Sequence, residues 1–144
     1  MLEDTVKSKV LFAGTSEFAI PTLNRLICQP DIEIIAVLTQ PDRQAGRGRK
    51  LKLSPIKEVA ISNNIRVLEP TDLNRCEGLR EILTEEIKFL VVVSYGLMIP
   101  SSVVEKVNFA INIHASILPN WRGAAPMQYA IMNGDQFAGV SIME

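Results

Sequence analysis

Phe89-Leu90-Val91-Val92-Val93-Ser94 is the stretch from which the fold can be read. It opens with five consecutive aliphatic or aromatic residues, and no such run in the chain is longer. Successive side chains of a strand point to opposite faces, so this strand is apolar on both. A half-solvated antiparallel strand alternates apolar with polar residues, whereas a strand apolar throughout suits the middle of a parallel sheet covered by helices on both sides. Working outward, further short apolar runs rich in β-branched residues read as strands: Lys9–Ala13, Ile32–Thr39, Ile65–Leu68, Phe109–His114 and Gly139–Met143. Helix-like stretches separate them. In Ile20–Cys28 the residues Ile20, Leu23, Leu26 and Ile27 recur at the three-to-four spacing of one buried face. Ser54 reads as an N-cap with Pro55 in the first helical position, ahead of Ile56, Val59 and Ala60 on one side. A third helix is expected around Leu79–Glu86 and a fourth after Ser101. The alternation predicts an α/β fold, doubly wound, with a mostly parallel sheet, helices on both faces and right-handed crossovers.

A length of 144 residues bounds the chain to one domain. Its 47% hydrophobic and 22% charged content excludes a disordered chain, collagen and a coiled coil. Five apolar residues in a row fall far short of the roughly 20 that span a bilayer, so no membrane association is expected. Met1-Leu2-Glu3-Asp4 lacks the basic start and apolar stretch of a secretion signal, which makes a cytoplasmic address the expectation. Cys28 and Cys76 match no metal or redox spacing and read as small buried thiols. The net charge of −1 hides an imbalance. Between Arg43 and Lys57 stand six bases (Arg43, Arg47, Arg49, Lys50, Lys52, Lys57) and no acid, leaving nine bases against 16 acids elsewhere. Gly46, Gly48, Pro41 and Pro55 mark this segment as a loop. Two readings stay open: a solvated charge run, or a loop that contacts the phosphates of a nucleic acid.

In a doubly wound sheet, sites form beyond the carboxyl ends of the strands. The first such loop, Gly14-Thr15-Ser16-Glu17-Phe18, has one glycine where a dinucleotide fingerprint needs three, and no Gly-Lys-Ser/Thr of a P-loop follows. A nicotinamide cofactor is therefore disfavoured, and Gly14 reads as a tight turn into the helix. The polar strand end Phe109-Ala110-Ile111-Asn112-Ile113-His114 is more informative. Alternation puts Asn112 and His114 on one face, adjacent at the carboxyl end. A carboxamide N–H can donate to an oxyanion, and an imidazole can donate a second bond or move a proton near neutral pH. A lone histidine satisfied inside a core is the competing reading; this is the only histidine, and it stands beside another polar side chain at a strand end. Two loops then offer walls for a heterocycle: Ala115–Pro126, with Ile117 and Leu118, and Ser94–Pro100.

Taken in order, Phe12-Ala13-Gly14-Thr15, Leu38-Thr39-Gln40-Pro41-Asp42-Arg43 with Ala45-Gly46-Arg47-Gly48, Ser54-Pro55-Ile56-Lys57, Val91-Val92-Val93-Ser94-Tyr95-Gly96-Leu97, Ile111-Asn112-Ile113-His114-Ala115-Ser116 and Trp121-Arg122-Gly123-Ala124-Ala125-Pro126 resemble the methionyl-tRNA formyltransferase family of folate-dependent formyltransferases. The resemblance runs from about Lys9 to Glu144. It implies a Rossmann-like formyltransferase fold and transfer of a formyl group from 10-formyltetrahydrofolate to the α-amino group of methionyl initiator tRNA, with no metal. By resemblance, Asn112 and His114 hold the formyl oxygen while the imidazole assists proton movement toward the departing folate nitrogen. Ser116, Ile117, Leu118 and Pro119 correspond to folate contacts, and Tyr95, Gly96 and Leu97 to the pocket beside them. Arg43, Arg47, Arg49, Lys50 and Lys52 correspond to the insertion that meets the tRNA acceptor end. The family's further catalytic aspartate falls at position 150, beyond Glu144, so residues 1–144 are expected to be an N-terminal catalytic domain incomplete at its C-terminal end and without the family's C-terminal β-barrel domain. The expected consequences are weak or absent activity for this stretch alone and a monomer when complete. The alternatives are a formyltransferase acting on a sugar nucleotide or small amine, and a non-catalytic RNA- or folate-binding remnant.

Overall fold

In the computed structural model, which describes residues 6–45 and 50–144, β6 (Ile87–Val93) occupies the middle of the sheet. It runs parallel to β1 (Ser8–Gly14) on one side and to β7 (Val107–His114) on the other. Beyond β1 lie β2 (Ile32–Leu38) and the two-residue edge β5 (Val67–Leu68), both parallel. Beyond β7 lies β8 (Ser141–Met143), antiparallel. The order β5-β2-β1-β6-β7-β8 is that of a doubly wound sheet whose winding reverses between β1 and β6.

The double apolar face of the central strands feeds two separate cores. Leu11, Ala13, Ala36, Leu38 and Leu90 pack with Leu79, Ile82 and Val103, carried by α3 (Glu77–Ile82) and α4 (Ser101–Val104). Val10, Phe12, Val37, Val91 and Val93 pack with Leu23, Ile56 and Ala60, carried by α1 (Ile20–Ile27) and α2 (Pro55–Ser62). Helices thus cover both faces, and the α2 start is the one expected: Pro55 leads the helix and the Ser54 hydroxyl accepts from Lys57 N at 3.0 Å. A fifth helix, α5 (Pro126–Asn133), begins at Pro126 and ends at Gly134 in the left-handed region. Among the described residues no helix is long and apolar enough to cross a membrane.

Five expectations are corrected, that for Gly14 below. The third helix ends at Ile82 instead of Glu86, because Leu83 is already its C-cap and β6 begins at Ile87. The strand expected over Ile65–Leu68 pairs only at Val67 and Leu68, since an edge strand has a single neighbour to hold it. Cys28 is exposed at the C-cap of α1, where the helix runs out over solvent, and Cys76 is half-buried. The basic segment is more than a loop: β3 (Arg43–Ala45) and β4 (Lys50–Lys52) pair as an antiparallel ribbon separate from the main sheet. Arg47 and Arg49 lie outside the described residues.

Gly14 serves contact and not turn geometry. It is absent from the left-handed residues, and a Cβ there would stand 2.8 Å from Phe12 Cε1 and 2.9 Å from the Val93 carbonyl oxygen. The backbone neighbour cannot retreat without parting β1 from β6, so Gly14→Ala is expected to cost about 1–3 kcal/mol of stability. Thermal denaturation checks this as a lowered Tm.

Candidate functional site

The loops after β1 and β6 meet at the reversal of the winding, and short polar side chains join them. Thr15 N donates to Ser94 O at 3.1 Å, Thr15 Oγ1 to Tyr95 O at 2.8 Å, and Ser16 Oγ to Ser94 Oγ at 2.7 Å. Gln40, following β2, adds the third loop: its N donates to Thr15 Oγ1 at 3.3 Å and its Nε2 to Tyr95 O at 3.2 Å. The Gln40 Oε1 in turn accepts from Arg43 Nη2, the first base of the ribbon. The turn that carries Tyr95 is built around this amide. Ser94 and Gly96 have φ of 49° and 85°, and a Cβ at Gly96 would drive into Gln40 Nε2. Gln40 stands in the Thr-Gln-Pro-Asp-Arg motif, yet sequence reasoning gave it no role; the signal available was a glutamine directly after an apolar strand, at the end where sites form.

Tyr95 and its neighbours divide. The Tyr95 side chain is 2% exposed and belongs to the core beside Leu11 and Leu38, while Gly96 is exposed and Leu97 half-buried. Among the described residues Tyr95 Oη has no hydrogen-bond partner. Burial pushes its pKa from 10.0 up to about 12.

On β7, Asn112 and His114 are half-buried and share the face of Ala110, which packs on the α3–α4 side, while Ile113 packs on the opposite core. The two polar side chains therefore stand side by side at the carboxyl end of the strand, as alternation predicts. His114 Nε2 lies 3.0 Å from Trp121 O, and a carbonyl only accepts, so Nε2 carries a proton and Nδ1 is the acceptor of the neutral ring. The loop after β7 is knitted internally. Ser116 is buried with its Oγ donating to Asn120 O at 2.7 Å, and the Ser141 hydroxyl of β8 donates to Ser116 O at 2.8 Å and accepts from Leu118 N at 3.0 Å. The Leu118–Pro119 bond is cis, and Ile117 is the apolar side chain that the loop turns outward, at 50% exposure. A cavity of about 700 Å³ opens between this loop and α5, lined by Ser116, Ile117, Trp121, Met127 and Phe137 among others. Asn112, His114 and Tyr95–Leu97 do not line it.

On the ribbon, Arg43 pairs directly across from Lys52 and Ala45 from Lys50. Arg43 and Lys52 are both exposed. Like charges opposite each other in a ladder are unfavourable unless an anion relieves them.

A doubly wound sheet with an Asn-x-His strand end defines a class, and the chain belongs to the formyl transferase family, whose sequence profile matches residues 6–144. Among characterised relatives, it is 42% identical over 137 residues to the methionyl-tRNA formyltransferase of Streptococcus uberis, covering 95% of this chain and 44% of that protein. It is 48% identical over 136 residues to the enzyme of the same name from Pseudomonas fluorescens, covering 94% of this chain and 42% of that one. The chain therefore spans less than half the length of these curated relatives. Solved structures show the same fold: a formyltetrahydrofolate deformylase from Pseudomonas syringae (TM-score 0.68, 20% identity, 96% of this chain and 46% of that one) and a phosphoribosylglycinamide formyltransferase from Brucella melitensis (TM-score 0.66, 18% identity, 95% and 71%).

The buried, unpartnered hydroxyl of Tyr95 sets a testable expectation. A buried polar group without a bond costs about 1–3 kcal/mol, so Tyr95→Phe should leave Tm unchanged or raise it. A tyrosine whose folded pKa is raised keeps its proton longer folded than unfolded, so stability falls as pH climbs from 10.0 toward about 12. Alkaline unfolding followed by circular dichroism should therefore move to higher pH in the phenylalanine variant.

Proposed function

We propose that this chain supplies the formyl-transfer site of an enzyme that moves a formyl group from 10-formyltetrahydrofolate to the α-amino group of methionyl initiator tRNA. The observation that carries the reading is the pairing of Asn112 with His114 at the carboxyl end of β7, in a chain 42–48% identical to proteins named methionyl-tRNA formyltransferase. In this proposal the amine nitrogen bonds to the formyl carbon, the carbon's bond to the folate nitrogen breaks, and a proton passes from the first nitrogen to the second. The Asn112 carboxamide donates to the formyl oxygen as charge builds on it. With Nε2–H of His114 turned to Trp121 O, Nδ1 is the ring nitrogen that carries the proton and, when protonated, offers the oxygen a second donor.

The folate lies in this reading against Gly96, Leu97 and the Ser116–Pro119 loop. Tyr95 and Ser116 act there by shaping backbone, since both side chains are buried. The exposed like-charge pair Arg43 and Lys52 faces the phosphates of the tRNA acceptor end, joined in the same role by Lys50, Arg47 and Arg49. A small acceptor gives no reason for such a pair.

Formyl transfer assayed with 10-formyltetrahydrofolate and methionylated initiator tRNA tests the proposal. His114→Ala is expected to lower kcat by about 10²–10⁴-fold and Asn112→Ala by roughly 10²–10³-fold. Arg43→Ala and Lys52→Ala should raise KM for tRNA, each lowering the log-log salt slope of binding by about 0.7–0.9. Turnover with an aminated sugar nucleotide in place of tRNA would overturn the acceptor, and full activity without His114 would overturn the site.

A further inference from the structure

Lys57 is one of the six bases of the basic segment, yet the structure gives it a different place from the rest. Its Nζ donates to Asp42 Oδ2 at 2.6 Å and to Glu69 Oε1 and Oε2 at 2.9 and 2.8 Å. An ammonium has three N–H donors, so these bonds leave none for a phosphate. The three side chains are sheltered, at 15% exposure for Lys57, 20% for Asp42 and 30% for Glu69. Two carboxylates against one ammonium make the cluster net negative, the wrong sign for contact with a polyanion. Lys57 also sits in the first turn of α2, where a cation opposes the helix dipole. The hydrogen bond it donates to Asp42, then those it donates to Glu69, raise its pKa above the ordinary 10.5 and keep it charged throughout the neutral range.

What the cluster does hold is the root of the ribbon. Asp42 immediately precedes β3, and Ser54 follows β4 by two residues. Lys57 grips the first leg through Nζ and the second through its own backbone N–H, which donates to Ser54 Oγ at 3.0 Å. Ser54 Oγ is in turn 2.7 Å from Thr39 Oγ1, a buried contact at the end of β2, and Glu69 ties the clamp to the segment after β5. Both legs thus meet on one helical turn. We propose that Lys57 is a positioning residue that fixes the angle at which the ribbon presents Arg43 and Lys52 to the acceptor RNA, without itself touching that RNA. The inference rests on the tRNA reading above.

The test compares the unsubstituted protein with Lys57→Met, Lys57→Arg and Lys52→Ala. It measures binding of methionylated initiator tRNA across a salt series and amide exchange over 43–45 and 50–52. Lys57→Met is expected to weaken tRNA binding about tenfold and speed exchange in the ribbon, with the salt slope unchanged. Lys52→Ala should lower the slope, and Lys57→Arg should restore binding because a guanidinium can bridge the two carboxylates. A Lys57→Met slope reduced like that of Lys52→Ala, or unaltered binding and exchange, would overturn the inference. If Lys57→Met does not fold, the neutral triple Asp42→Asn, Lys57→Met, Glu69→Gln removes the leftover repulsion and is read the same way. Should the unsubstituted protein bind tRNA without salt dependence, the acceptor reading fails, while ribbon exchange still decides whether Lys57 is the clamp.

Discussion

The parallel pairing of β1 with β6, closed at Gly14 against Val93, is the constraint on which the rest depends. Past the solvent-reaching Lys9 and Lys88 near their amino ends, both strands are covered by helices on each face, so neither can carry a polar side chain there without leaving it unsatisfied in an apolar layer. Polar groups are thereby driven to the strand ends. At the carboxyl end between β1 and β6 the chain leaves the sheet through Thr15 and Ser94–Tyr95, joined there by Gln40. The same dryness that stabilises the sheet thus fixes where its chemistry can occur.

The polar strand end of β7 follows from its position one strand further out. It is flanked by β6 on one side and only the three-residue β8 on the other, and its residues from Ala110 to His114 are half-buried where Val10–Gly14 of β1 are buried. Partial burial suits a carboxamide and an imidazole, which keep access to a reactant while their hydrogen bonds escape full competition from water. The loop that follows is held by its own side chains, above all Ser116 and Ser141, and so can keep a shape that regular structure does not provide.

Much of this was legible in the residues. Phe89–Val93 announced a doubly covered central strand, Ser54 and Pro55 announced the α2 start, and alternation placed Asn112 beside His114. These signals are local, and tertiary packing reinforces them. The contents of the basic segment were not legible in the same way. Composition counts Lys57 with Arg43 and Lys52, because charge is all that composition sees; only the return of the chain at Asp42 and Glu69 separates a neutralised base from exposed ones. Pairing of Arg43 with Lys52 was hidden for a similar reason, since neither strand has the apolar alternation that marks a buried one. Gly14 looked like a turn and proved to be a close contact, a distinction that depends on a strand distant in sequence.

The Gln40 side chain answers two unlike demands. Tyr95 O requires a donor and Arg43 a lone pair, so the group between them must be polar in opposite senses at its two ends. A carboxamide is such a group, whereas a carboxylate offers only lone pairs and an ammonium only protons. The amide therefore works as an adaptor with a fixed direction: reversing it sets like against like at both ends. Its orientation registers the placement of the Tyr95 turn and of the ribbon's first base together, making one rigid plane the common reference for both.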